Sequence, residues 1–301
     1  MPNTLMPERP TGELAEHLRR IRYVFTDLDG TMLGPGSTVL ANAAGEPSVD
    51  LVETLVELRR AGVEVIPCSG RNRSMLHEDI RVLGLNSFIG EMGGLLMLDN
   101  HTSSWEYYTA DMPYDPACGK TPHECIEETG VLSQLSSRWP GLLEYHNDMS
   151  TGYKYREVTV GMRGEVPDEE VRAVIADAGA NLDWGDNGYL NYISAPTTLH
   201  LPEGVRGRAF NLMPRGLNKG RGIKRFCELR GIDGSETLSV GDATSDFYMA
   251  DATSLFVLVG NGLDSPAAET FLAERENTIV SPKRLVDSWV YAMRCLLAAK
   301  E

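Results

Sequence analysis

The chain has no run of about 20 apolar residues, the length a membrane-spanning helix requires. Its opening segment, Met1 to Pro10, is polar and contains proline, so it lacks the apolar core of a secretory signal. Basic residues are scarce: 28 Lys and Arg stand against 43 Asp and Glu, a formal net charge of −15. That balance argues against nucleic acid and against an anionic membrane surface as partners. Cysteines number only five (Cys68, Cys118, Cys125, Cys227 and Cys295), an odd and scattered set. Such a set suits reduced thiols, and with the missing signal it predicts a cytoplasmic protein. Cys118, His123 and Cys125 lie close together, but their spacing fits no zinc pattern and they read as ordinary loop residues. No internal repeat or low-complexity segment is present. What is there is an ordinary globular composition, 42% hydrophobic and 24% charged over 301 residues. That length predicts two domains acting on small molecules, cations or protein partners.

The apolar pattern begins at Ile21 to Phe25, a buried strand that Gly30 turns sharply after Thr26-Asp27-Leu28-Asp29. Residues two apart in an extended segment point the same way, so Asp27 and Asp29 are expected to converge. Two like charges that close repel unless a cation or a shared proton offsets them. Residues 33 to 48, rich in Gly, Ala, Pro and Ser, read as a long loop or hairpin, a candidate flap beside the pair. A helix stripe follows at Leu51, Leu55 and Leu58, then a strand from Val63 to Cys68, a helix from Asn72 to Leu83 and a strand from Ser87 to Glu91. Alternating strands and helices predict a parallel sheet with right-handed crossovers, an α/β Rossmann-like core.

From 103 to 208 the elements alternate less regularly and aromatics increase. Val158, Val160 and Met162 read as a half-buried strand, Val171 to Ala178 as a helix, and Tyr189 to Ile193 as a further strand. This region reads as an inserted α+β domain. The parallel-sheet pattern returns with a helix opened by Lys219 and closed by Gly231, then strands at Thr237–Val240 and Leu255–Val259. The predicted division is a core of 1–102 and 209–301 with an insert of 103–208.

Ligands of open parallel sheets bind beyond the carboxyl ends of the strands. Chemically capable residues gather at those ends: Asp27 and Asp29 after the first strand, Ser69 after the second, Asp242 and Asp246 after a later one, with Lys219 at the start of a helix. Singly, each could be a helix cap or a surface charge. Together they resemble the four motifs of the haloacid dehalogenase-like phosphohydrolases: Asp27-Leu28-Asp29-Gly30-Thr31, Ser69 in Pro-Cys-Ser-Gly-Arg, Lys219 in Asn-Lys-Gly, and Gly241-Asp242-Ala243-Thr244-Ser245-Asp246.

The resemblance implies a Mg²⁺-dependent phosphatase acting on a small phosphate ester through an aspartyl-phosphate. Asp27 is then the nucleophile, Asp29 the acid and base, and Ser69 and Lys219 the groups that hold the phosphoryl oxygens. Asp27, Asp29 (through its backbone carbonyl), Asp242 and Asp246 are the implied metal site, with Asp246 direct or one shell out. Ser69, Gly70 and Arg71 are the implied substrate contacts in the core, and Asn261 is placed to orient the Asp242 loop. Only a loop, a helix and a strand fit between Asp27 and Ser69, whereas the stretch between Ser69 and Lys219 is far longer. That placement resembles class IIB members, whose α+β cap follows the second motif: the Cof-type, sucrose-phosphate and mannosyl-phosphoglycerate phosphatases, with a similar cap in phosphomannomutase.

The chain departs from the class at Glu91-Met92-Gly93-Gly94, where members often have Glu-Asn-Gly-Ala, and at Ser245-Asp246, where Asn-Asp is common. Cap residues expected to read the leaving group are Lys154, Arg156, Arg163, Asn191 and His200, with Tyr155 or Tyr192 as a stacking surface; Trp139 and Trp184 are expected in the cap interior or hinge. A sugar phosphate or phosphoglycerate derivative is the expected substrate. A phosphomutase shares every core residue and is the alternative, and a catalytically silent binding or regulatory protein is the remote one. Oligomeric state is not legible in these motifs.

Overall fold

The computed structural model describes residues 5–146, 155–190, 193, 195 and 197–301. Three of the expected substrate contacts, Lys154, Asn191 and Tyr192, lie outside the described residues. The chain begins with α1 (Gly12–Arg20), β1 (Tyr23–Thr26), α2 (Asp50–Arg60), β2 (Glu64–Pro67), α3 (Arg73–Leu83) and β3 (Phe88–Gly90). An antiparallel hairpin, β4 (Leu95–Asp99) and β5 (Ser104–Tyr107), pairs back onto β3. The insert holds α4 (Pro122–Glu128), α5 (Val131–Arg138), β6 (Leu143–Tyr145), β7 (Val160–Gly164), α6 (Asp168–Asp177), β8 (Leu182–Tyr189) and β9 (Arg208–Pro214). The chain closes with α7 (Lys219–Arg230), β10 (Thr237–Gly241), α8 (Thr244–Phe247), β11 (Leu255–Leu258), α9 (Ala268–Glu274), β12 (Thr278–Val280) and α10 (Leu285–Lys300).

The core sheet is parallel, in the order β12-β11-β10-β1-β2. A parallel bridge from Cys68 to Ile89 carries it on toward β3. The chain winds outward from β1 on one side and, after the insert, outward from β10 on the other. The order therefore reverses between β1 and β10, where such sheets form a crevice. Both faces are covered, which explains the near-continuous apolar strands. Val24, Val65, Leu238 and Val240 pack with Leu18, Leu51, Trp289 and Leu296 on one face, while Phe25, Ile66, Phe256 and Leu258 meet Ile223, Phe226 and Phe271 on the other. Each such side chain, fully buried, contributes about 1.5–3 kcal/mol.

The cap is a four-stranded antiparallel sheet, β6-β7-β9-β8, with α4, α5 and α6 packed through Ile126, Val131, Leu135, Val171 and Ile175. Trp139 and Trp184 are buried in that interior, as expected. The expected boundary at 208/209 falls inside this sheet, because β9 pairs with both β7 and β8 along Arg208–Pro214. The expected strand over 189–193 falls in part on residues 191 and 192, outside the described residues; the strand that is described there is β8, Leu182–Tyr189. Its run of Asp, Gly and Asn has weak strand propensity, and pairing with β9 imposes the conformation. No helix among the described residues is long and apolar enough to cross a membrane.

Candidate active site

Asp27 follows β1 directly, and its backbone N–H donates to Val240 O at 3.0 Å, so the end of the neighbouring strand fixes its place. From α10 the Trp289 indole donates to Thr26 Oγ1 at 2.9 Å, and that hydroxyl donates to Asp27 O at 2.8 Å. Helix α7 starts at the site because Asn218 caps it, accepting from Arg221 N at 2.9 Å, and this delivers Lys219 to the sheet edge. The buried ammonium donates to Asp27 Oδ1 at 2.6 Å and to Asp246 Oδ1 at 2.5 Å. The other Asp246 oxygen accepts from the N–H groups of Asp242 and Ala243, both at 3.0 Å, locking the turn after β10.

Asp242 is held in turn by Thr31 Oγ1 at 2.9 Å and Asn261 Nδ2 at 3.0 Å, and Asn261 also donates to Gly30 O at 2.9 Å. The expected role of Asn261 in orienting this loop is thus seen directly. Gly30, at φ +86°, must be glycine twice over: a Cβ there would also lie 2.6 Å from Asp242 Oδ2. One oxygen from each of Asp27, Asp242 and Asp246 falls within 4.8 Å of the others. Burial pushes the Asp27 carboxyl upward, with Lys219 opposing and Asp246 and Asp242 adding to the rise. Burial and Asp246 likewise push Asp242 up, to about 6. Burial also works against the Lys219 charge, but Asp246 and Asp27 outweigh it and keep the ammonium protonated. One lysine among three carboxylates leaves the cluster net negative, and hard oxygen donors at this spacing suit Mg²⁺.

The structure turns Asp29 elsewhere. The paired strand ends at Thr26, and residues 28–32 form a tight turn in which Asp29 keeps extended angles (φ −79°, ψ 119°) and Gly30 reverses the chain at φ +86°. The Asp29 carboxylate receives Arg71 Nε at 2.9 Å, Arg71 Nη2 at 2.6 Å and Ser37 Oγ at 2.6 Å. Although burial opposes it, those hydrogen bonds hold Asp29 below the usual carboxylate range. Its side chain is thus outside the three-carboxylate cluster, although both carboxylates line one cavity. Arg71 is fixed by a second carboxylate, Asp79 of α3, at 2.8 Å. Ser69 is buried, and its hydroxyl accepts from Arg71 N at 3.3 Å.

The cavity over these groups measures about 1200 Å³. Core residues Asp27, Asp29, Ser69, Gly70, Arg71, Lys219 and Asp246 form its floor and one wall. The opposite wall comes from the cap: Arg156, the bulged end of β8 from Asp186 to Tyr189 with Leu190 after it, and Ala209. Of the expected cap contacts among the described residues, only Arg156 lines this wall, with Nη1 donating to Gly70 O at 3.1 Å. Arg163 is buried in the cap, paired with Glu144, and His200 packs against Gly141, its N–H donating to Gly141 O at 2.7 Å. Tyr155 is exposed and is not among the residues lining the cavity. This strand end is not recognisable from the sequence as a cavity wall, because it is short and polar. Its one sequence signal is Asp-Asn-Gly, a turn-forming run: Asp186 Oδ1 accepts from Gly188 N at 2.7 Å, and Arg208 pins Asp186 at 2.9 Å.

The Glu91-Met92-Gly93-Gly94 departure has a physical reading. Buried Glu91 accepts from the N–H groups of Glu157, Val158 and Thr159 at 2.8–2.9 Å, clamping the chain that leads into β7. At Gly94 a Cβ would lie 2.5 Å from Val158 Cγ1, so the alanine common in the class would strike the cap connection. Gly93, at φ +108°, touches the Asn218 carbonyl, and a Cβ on Gly222 would lie 2.6 Å from Gly93 Cα. Met92 holds φ +63°, a conformation asparagine tolerates better, and its side chain lines the cavity.

A family profile described as haloacid dehalogenase-like hydrolase matches residues 24–128 and 203–269, more than half of the chain. A phosphoglycolate phosphatase of Methanococcoides burtonii is 24% identical over 248 residues, covering 82% of this chain and 86% of its own. Among solved structures, the sucrose-phosphatase of Synechocystis, in complex with sucrose and phosphate, superposes with a TM-score of 0.58 at 12% identity, covering 92% of this chain and 98% of that one. A subclass IIB sugar phosphatase gives a TM-score of 0.54 at 17% identity over 91% of this chain and 98% of its own. The fold likeness thus spans the cap as well as the core.

Proposed function

The chain belongs to the haloacid dehalogenase-like hydrolases, and from that premise we propose that it is a Mg²⁺-dependent phosphatase of a phosphorylated metabolite of sugar size. The observation that carries this reading is the buried Lys219 ammonium wedged between Asp27 and Asp246 at the floor of the cavity between core and cap. A phosphate dianion entering that floor meets Lys219 and the Ser69 hydroxyl, which draw charge from its oxygens and let the Asp27 carboxylate approach phosphorus. Asp27 forms the new P–O bond as the ester oxygen departs. Asp29 stands at the rim, paired with Arg71 and Ser37; once the incoming phosphate draws Arg71 away, its carboxyl can take up a proton, give it to the leaving alkoxide, and then take one from the water that opens the aspartyl-phosphate. A bound Mg²⁺, held by Asp27, Asp242 and Asp246, would supply the positive charge that lets anionic nucleophile and anionic substrate share the site.

The cap excludes bulk water and meets the leaving group. Its wall mixes Arg156, Asp186 and Asn187 with Tyr189 and Leu190, a surface for hydroxyls and one apolar ring face. The cavity of about 1200 Å³ leaves room beyond the phosphate for a leaving group larger than glycolate. The test is a panel of phosphosugars, with phosphoglycolate and phosphoglycerate included, read by phosphate release with Mg²⁺ and with chelator. Release from the sugar-sized members that stops with chelator is the expected result. Isomerised sugar phosphate without free phosphate would instead identify a phosphomutase, and no turnover would sink both.

A further inference from the structure

Residues 33–48, the loop expected as a flap, fold into two tight reversals, bridged antiparallel between Gly34 and Thr38 and between Ala41 and Pro47. In the first, Gly34 N donates to Thr38 O at 2.9 Å and Ser37 N to Gly34 O at 3.0 Å. A Cβ on Gly34 would lie 2.7 Å from Ala41 O, so the two reversals pack backbone to backbone. The second is tied to α10, where Asp287 Oδ1 accepts from Ala43 N at 3.1 Å. At the tip Ser37 holds φ +59°, a left-handed conformation that costs any residue with a Cβ. With that backbone Ser37 lines the catalytic cavity, and its Oγ donates to Asp29 Oδ1 at 2.6 Å.

The two oxygens of Asp29 are therefore not equivalent. Oδ1 accepts from Ser37 Oγ and from Arg71 Nη2, both at 2.6 Å. Among the described residues Oδ2 accepts from Arg71 Nε alone, at 2.9 Å. The carboxylate is half exposed, so hydrogen bonds and not packing set its orientation. A phosphate that draws Arg71 off removes a donor from each oxygen and leaves Ser37 on Oδ1.

We propose that Ser37 is a positioning residue that holds the Asp29 carboxyl after Arg71 has turned to the phosphate and directs its proton to Oδ2; this rests on the reading of Asp29 as proton carrier. A hydroxyl donating to Oδ1 favours that oxygen as the carbonyl of the protonated acid, which leaves Oδ2 as the O–H. The Oδ2–H bond breaks as the ester oxygen leaves phosphorus, and the proton goes to that oxygen. The same Oδ2 then takes a proton from the water that attacks the aspartyl-phosphate. One proton is given and one recovered, and Ser37 keeps its own throughout.

The experiment measures kcat/KM of the full-length protein with Mg²⁺ on two esters. One is an alkyl phosphate that the parent hydrolyses; the other is dinitrophenyl phosphate, whose leaving group departs without a proton. Ser37→Ala removes the hydroxyl. Ser37→Gly removes it and also suits φ +59°, so a thermal midpoint at or above the parent's separates loss of the hydroxyl from loss of folding. Both should lower the alkyl ester relative to the dinitrophenyl ester by roughly 5- to 50-fold, and Asp29→Ala should do so by more. On the Asp29→Ala background, Ser37→Gly should change neither ester further. Equal losses on the two esters, no loss on either, or a further loss in the double variant would overturn the proposal. Equal losses in Asp29→Ala itself would show instead that Asp29 does not carry the proton, and the role of Ser37 would fall with that reading.

Discussion

The two walls of the catalytic cavity are built by opposite means. The core wall is made of strand ends and helix starts whose charged groups hold one another: Asp27, Lys219, Asp246 and Asp242 are each fixed by at least one neighbour from a different element. The cap wall is one buried arginine and the bulged end of β8 pinned by Arg208, standing on a separate hydrophobic interior. On the proposed mechanism, the groups that meet phosphorus in one geometry sit on the rigid side. Those proposed to meet a variable leaving group sit where a few substitutions alter shape without disturbing the ion network. Fold and chemistry are therefore shared with relatives far more readily than substrate.

The comparison breaks hardest at Asp27. Asp27→Asn should lower phosphate release by roughly 10³-fold or more on every substrate, since it removes the proposed nucleophile. A loss confined to some substrates would place the chemistry elsewhere. Next comes the joint between the walls: Glu91→Ala strips three buried N–H groups of their acceptor. It should cost about 2–4 kcal/mol in denaturant unfolding, with a greater loss of kcat/KM on sugar-sized esters than on a minimal aryl phosphate. Equal losses on both would mean that Glu91 serves the core alone.

On the cap wall, Leu190→Ala should change kcat/KM by roughly 3- to 30-fold, in a substrate-dependent way, and leave the minimal aryl phosphate within about twofold. A uniform effect would contradict the division. The smallest effect is in acid stability. Burial first, and then Arg163, push His146 of the cap down to about 4 from its ordinary 6.5. The unfolded chain binds the proton first, so stability contributed by neutral His146 is whole above 6.5 and is lost as pH falls toward 4. Thermal midpoints of His146→Gln and the parent should converge as pH is lowered through that window; parallel curves would count against the assignment.

Much of the core was legible because its signals are local. Apolar runs closed by Gly, Asp or Ser place β1, β2 and β10, and an amphipathic stripe with Asn218 before it and Gly231 after it places α7. The site follows, because the parallel order brings those strand ends together whatever the side chains do. The convergence expected of Asp27 and Asp29 is partial: both line the cavity, but Arg71 and Ser37 hold the Asp29 carboxylate away from the three-carboxylate cluster. The cap was less legible because its strands are fixed by pairing. β8 contains Asp, Gly and Asn, and only its long ladder to β9 makes it a strand. Arg163 is expected from the sequence to read the leaving group, yet it is the buried counter-ion of Glu144.

Gly93 and Gly222 are far apart in sequence but touch through bare backbone, one in the turn beside Glu91 and the other in the first turn of α7. A side chain on either drives the turn that clamps the cap away from the helix that carries Lys219. Neither position is free to drift alone during descent. Among sequences that keep both Lys219 and Glu91, the two glycines should be inherited as one character. A lineage that gave up one should show a cap connection re-seated around the loss.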